Sequence, residues 1–194
     1  MKNTFFTLLF LLFLAACANP ETEEQASPPF AIKSVEMEKK AGPGCDTEAA
    51  STCATVSFRY PQAEGPAADS TFIQSFNDTI QQYLISAILT VNPTEGANPS
   101  LEEAASTFLS EYMDFIEEVP DYGMGWSMEN DYSILIQNEK VIAVEMENYS
   151  FSGGAHPNSF VTLFNFDRET GATLGYPDLV TDAQSLMEIA EQAF

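Results

Sequence analysis

The sequence predicts an α+β fold, an antiparallel sheet of hairpins packed against two helices, in an exported domain. Three observations carry this expectation. Five segments, 31–40, 53–61, 131–138, 140–151 and 159–166, alternate in polarity and are separated by turn residues, as strands are. Residues 72–116 instead space apolar side chains three and four apart, as one face of a helix does. Ahead of both stands an apolar leader that belongs to export and not to the core.

The leader reads MKNTFFTLLFLLFLAAC. Lys2 supplies a positive start. Phe5 to Leu14 form a nearly unbroken apolar run of about ten residues, short of the ~20 that a helix needs to span a bilayer. Leu14-Ala15-Ala16-Cys17 resembles a bacterial lipobox, in which small residues fit the peptidase cleft and the cysteine thiol takes the lipid. Residues 1–16 are therefore expected to be a lipoprotein signal peptide, with Cys17 the lipidation site. Each acyl chain contributes about 0.8 kcal/mol per buried methylene, so two or more chains anchor stably. Residues 17–30, acidic and proline-containing, form a tether that buries no core. Residues 31–194 are the folded domain, a hairpin and two helices to about 125 and a strand-rich part beyond.

Within the domain, 31–40 alternates imperfectly and 53–61 clearly, with Ala54, Val56, Phe58 and Tyr60 on one face. The two runs flank Cys45, the loop DTEAAST and Cys53. With Cys17 lipidated, Cys45 and Cys53 remain as a pair in an oxidising compartment, where a disulfide is expected. A zinc site is the rival, but no histidine or further thiol stands near to complete its shell. Asp69-Ser70 can cap a helix that carries Phe72, Ile73, Phe76, Ile80, Tyr83, Leu84, Ala87 and Ile88 on one stripe. Residues 92–99 break it. Ser100 and Glu103 form a capping-box pattern ahead of Leu101, Ala105, Phe108, Tyr112 and Ile116.

After Pro120 the chain returns to strands. Tyr132, Ile134 and Ile136 fall on one face, then Ile142, Val144 and Met146, then Phe160, Thr162, Phe164 and Phe166. Asn138-Glu139 and residues 167–171 read as tight connections, followed by a brief strand at 172–174. Asp182 can cap a last helix carrying Leu186, Ile189 and Phe194.

The chemistry is bounded by what the chain carries. Seven basic residues oppose 29 acidic ones, a formal net charge of −22, so nothing neutralises the phosphates of a nucleic acid. The charge either keeps a surface solvated or steers cationic partners. The single histidine, His156, lies in SGGAHPN. One histidine does not make a multi-histidine metal site, no G-x-S-x-G elbow is present, and no calcium-type loop appears. No cofactor, metal or catalytic residue is therefore expected. Glycine, proline and asparagine make this loop a strand connection, with Ser152, Gly153, Gly154, His156 and Asn158 as candidates for ligand contact and His156 packed against Phe151 or Tyr149.

The stretch YSFSGGAHPNSFVTLFNFDRETGATLGYPDLV resembles the PdaC/RsiV-type extracytoplasmic domain family. Its members include the extracellular domain of a lysozyme-sensing anti-sigma factor and the non-catalytic N-terminal region of a peptidoglycan deacetylase. The resemblance covers about residues 31–194. It implies an α+β fold, residence outside the cytoplasm and a non-enzymatic binding role, with peptidoglycan or a basic wall-active protein such as lysozyme as partner. The chain departs from the anti-sigma factor in having a lipobox, and from the deacetylase in having no histidine-rich catalytic domain. Family members continue with more strands, so Phe194 reads as a truncation point that leaves a sheet edge uncovered. Two alternatives stand beside binding: a wall-polysaccharide-modifying enzyme or enzyme subunit that uses the His156 loop, and an adaptor that pairs through its sheet edge.

Overall fold

The computed structural model describes residues 30–46, 51–66, 70–91 and 98–193. The leader, Cys17, nearly all of the tether, Asp69, residues 92–97 and Phe194 lie outside them.

The first hairpin forms as its alternation predicts. Strands β1 (Ala31–Ala41) and β2 (Ala54–Glu64) pair antiparallel from Ala31↔Glu64 to Ala41↔Ala54. On β2 the side chains of Ala54, Val56, Phe58 and Tyr60 are buried. The Cys45–Cys53 disulfide closes the connection, with Cα atoms 4.6 Å apart. Helix α1 (Ser70–Val91) buries Phe72, Phe76, Ile80, Leu84, Ala87 and Ile88, the predicted stripe. Helix α2 (Leu101–Glu118) starts at a complete capping box. Ser100 Oγ accepts from the Glu103 amide, and the Glu103 carboxylate accepts from the Ser100 amide.

The strands β3 (Ser127–Gln137), β4 (Val141–Phe151) and β5 (Asn158–Asp167) form an antiparallel meander. The complete order is β1-β2-β3-β4-β5, one open sheet with α1 and α2 against one face. The predicted antiparallel sheet holds with one exception. Strands β2 and β3 run parallel over Thr55–Phe58 and Ser127–Asn130. The physical reason is the two-helix crossover between them, since parallel neighbours require a long connection and a hairpin cannot supply one. Past that short ladder the strands splay, and Asn130 Nδ2 donates to the Arg59 carbonyl at 3.0 Å.

Two other expectations shift. Strand β3 begins at Ser127, four residues before the predicted start, and buries Met128 and Asn130. Its register slips between Ile134 and Ile136, which turns Ile136 outward, 48% exposed, away from the face it was assigned. The expected strand at 172–174 is a single bridge, Thr173 to Phe166. Two helices end the described chain. Helix α3 (Tyr176–Leu179) is one turn, and α4 (Ala183–Ala193) has no buried residue.

Aromatic side chains fill both ends of the core. Phe30, assigned to a tether that buries no core, is instead 4% exposed and part of the core. It stacks on Phe72 (centroids 4.0 Å) because its ring completes that end of the aromatic cluster, where Phe76 meets Phe166 (4.5 Å) and the Arg168 guanidinium covers Phe30 at 3.8 Å. At the other end Phe108, Tyr112 and Phe115 surround Trp126, the only tryptophan. This second cluster supports the β4–β5 connection described next.

Candidate functional site

The loop from Ser152 to Pro157 joins β4 to β5, as its turn residues predicted. Its two glycines do different work. Gly153 has φ +86°, and a Cβ there would lie 2.5 Å from Tyr122 Oη and 3.0 Å from Trp126 Nε1. The loop backbone therefore rests on the aromatic cluster at a distance only glycine permits. Gly154 has nothing within 4 Å of a notional Cβ. The first glycine anchors the loop and the second faces outward.

His156 is exposed at the rim, with Nδ1 3.3 Å from the Pro157 carbonyl. The expected packing on Phe151 or Tyr149 is corrected accordingly: proline after histidine and the Gly153 anchor carry the ring away from β4. Ser152, Gly154, His156 and Asn158 nonetheless come together. With Ser150 and Phe160 they form one wall of a wedge of about 520 Å³ whose other wall is Ala87, Thr90 and Val91 at the C-terminal end of α1. Gly153 lies beneath this wall. Cys45 and Cys53 belong to the β1–β2 connection and do not line the wedge, although Cys53 packs against Gly125 beside Trp126, and Cys17 lies outside the described residues.

A larger concavity crosses the opposite, helix-free face of the sheet. This trough, about 760 Å³, takes at least one outward side chain from every strand. Five carboxylates line it: Glu36 and Glu38 of β1, Glu129 and Asp131 of β3, and Glu147 of β4. Among the described residues Arg59 is its only cationic side chain, and it already pairs with Asp131. Tyr149 and Val161 add apolar surface beside them. Sequence reading did not single out these acids. Their signal was the polar half of each alternating strand, but the convergence depends on register, which alternation alone leaves open.

Among the described residues no three His, Cys, Asp or Glu side chains are grouped to hold a metal ion, and no helix is long and apolar enough to cross a membrane.

An open five-stranded α+β sheet with both helices on one face and a concave acidic surface on the other defines the class. Within it, the family described as Deacetylase PdaC matches residues 47–159, more than half of the chain, and the chain belongs to that family. Two solved structures are similar. One is a DUF3298 family protein from Pseudomonas aeruginosa PAO1, with TM-score 0.55 and 20% identity, covering 86% of this chain and 65% of that one. The other is a DUF3298 member from Bacteroides fragilis NCTC 9343, with TM-score 0.60 and 13% identity, covering 82% and 65%. At these identities the likeness concerns the fold alone. The chain spans just under two thirds of the length of either structure. No curated protein matches it.

Proposed function

We propose that this chain is a lipid-anchored, extracytoplasmic binding protein whose sheet captures a basic macromolecular partner. The lipobox at Cys17 and the acidic tether support the location. One observation carries the binding role: among the described residues, five carboxylates and a single, already paired guanidinium line a trough spanning all five strands. Such a surface raises the rate of encounter with a positively charged partner and rejects an anionic one. Peptidoglycan, rich in carboxylates, is disfavoured in this trough. A basic wall-active protein such as lysozyme fits it.

The test is titration calorimetry of the full-length protein with lysozyme at low and high salt. Binding at low salt that weakens at high salt, and that a Glu129→Lys/Glu147→Lys double variant reduces at least about tenfold, supports the reading. No binding at low salt, or equal binding by the double variant, overturns it. The enzymatic alternative is tested separately: turnover of wall fragments that His156→Ala abolishes would establish it, and unchanged turnover would remove His156 from the chemistry.

A specific feature favours the adaptor alternative as a second reading. β5 ends the sheet, and residues 158–166 on this edge carry no charge. The opposite edge, β1, carries Lys33, Glu36, Glu38, Lys39 and Lys40. Charged edges resist strand addition and uncharged ones accept it.

A further inference from the structure

We infer that the wedge between the C-terminal end of α1 and the 150–160 segment is a binding site for a neutral hexopyranose unit. The argument begins with charge. In a chain with 29 acidic residues, none of the described side chains lining the wedge is Asp, Glu, Lys or Arg. What lines it instead is hydroxyl (Thr90, Ser150, Ser152), amide (Asn158) and imidazole (His156), with Phe160 as the aromatic surface. This is the complement of a sugar. Its hydroxyls donate and accept in a ring around the edge, and its C–H face is apolar.

The depth of the wedge supplies a second observation. Along α1, Tyr83, Ala87 and Val91 fall on one face, and Tyr83 meets Phe164 of β5 edge-on at 5.3 Å. Phe160 lies two pleats further along the same face of β5, beyond the point where the helix covers the strand, and is 42% exposed. On β4, Ser150 is 5% exposed. Asn148, one pleat deeper on the same face, is 3% exposed and lies behind the wedge without lining it. Sugar hydroxyls, directly or through a retained water, can donate to and accept from the Ser150, Ser152 and Asn158 side chains that line the wedge. An acidic ligand is disfavoured because no Lys or Arg among the described residues lines the wedge to offset its desolvation. This site shares Phe160 with the rim of the trough but has none of the trough's carboxylates in its lining. Its binding depends on hydrogen bonds and stacking and therefore differs from trough binding in its response to salt.

The full-length protein is titrated with chitotetraose, maltotetraose and, as the anionic comparator, tetragalacturonate. Heat and Trp126 fluorescence are followed, the latter because the indole lies against Gly153. The expected result is saturable binding of a neutral oligosaccharide that changes less than about twofold in high salt, and none of the anionic one. Phe160→Ala, at an exposed position, and Thr90→Trp, which fills the wedge, each weaken it at least about tenfold while the thermal melt stays cooperative. Absence of binding by both neutral sugars overturns the inference. So does binding that both variants retain, or a preference for the anionic sugar. Loss of lysozyme binding alone would sink the trough reading and leave this one standing.

Discussion

At the scale of single residues the Gly153-Gly154 pair shows how one motif holds two unequal positions. A side chain at Gly153 would need a positive φ and would drive into Tyr122 and Trp126, whereas Gly154 is open. Gly153→Ala is expected to destabilise the domain by about 2–4 kcal/mol, from left-handed backbone strain plus overpacking. Gly154→Ala should stay within about 0.5 kcal/mol of the parent. Urea denaturation followed by Trp126 fluorescence distinguishes them, and equal effects would contradict the anchor. A second residue, Asp167, organises the turn after β5. Its carboxylate accepts from the Thr170 hydroxyl and from the amides of Thr170 and Glu169. Those bonds, the Thr170 hydroxyl first, hold the Asp167 carboxyl below its ordinary value. A carboxyl lowered in the folded state stabilises above the unfolded value, and the contribution disappears as pH falls through the lower, folded one. The stability gap between the parent and Asp167→Asn should therefore be widest near neutral pH and close under acid, as denaturation midpoints across that range would show; a gap independent of pH would remove the carboxylate from the account. At this scale the sequence identified the loop but not its wedge. The second wall comes from Ala87, Thr90 and Val91, some sixty residues earlier, and no local pattern links them to Ser152.

At the scale of elements, legibility follows the range of the physical signal. Helices α1 and α2 and the buried faces of β2 and β4 were readable because a two- or 3.6-residue period is imposed locally by burial. The parallel β2–β3 pair was not, because alternation records which face is buried and not which neighbour lies beside it. Nor was the outward turn of Ile136, because a register slip breaks the period from within the strand. The start of β3 was hidden by Asn130, a polar residue in a buried position whose reason, a bond to the Arg59 carbonyl, is a tertiary one. The disulfide is a covalent constraint on an edge strand, since β1 pairs with β2 alone. Replacing both cysteines with alanine should lower stability by about 2–3 kcal/mol in the chain-entropy account of so short a loop. The loss should concentrate in β1. Hydrogen exchange is expected to speed up at Val35–Lys39 well before β4, and uniform acceleration across the sheet would show that β1 is not an independent unit.

At the scale of the whole molecule, the net charge of −22 acts on folding and on association with opposite signs. In the free protein the carboxylates repel one another, and six basic residues within the domain cannot balance them. Three of the six, Lys33, Lys40 and Arg59, are already paired with Glu64, Glu38 and Asp131 in exposed bridges that contribute little. Raising the salt from about 0.01 M to about 0.5 M shrinks the screening length from ~30 Å to below 10 Å and relieves the repulsion. The melting temperature of the free protein should therefore rise, by about 2–4 °C for each kcal/mol regained in a domain of this size. The same ions should weaken a complex in which a basic surface sits in the trough, because they screen the attraction that forms it. Opposite responses in one salt series separate a specific acidic site from a generally acidic coat. If added salt stabilises the free protein but leaves affinity for a basic partner unchanged, the trough carboxylates serve solubility alone. If affinity falls while Glu129→Lys/Glu147→Lys removes most of that salt dependence, the attraction resides in this face of the sheet.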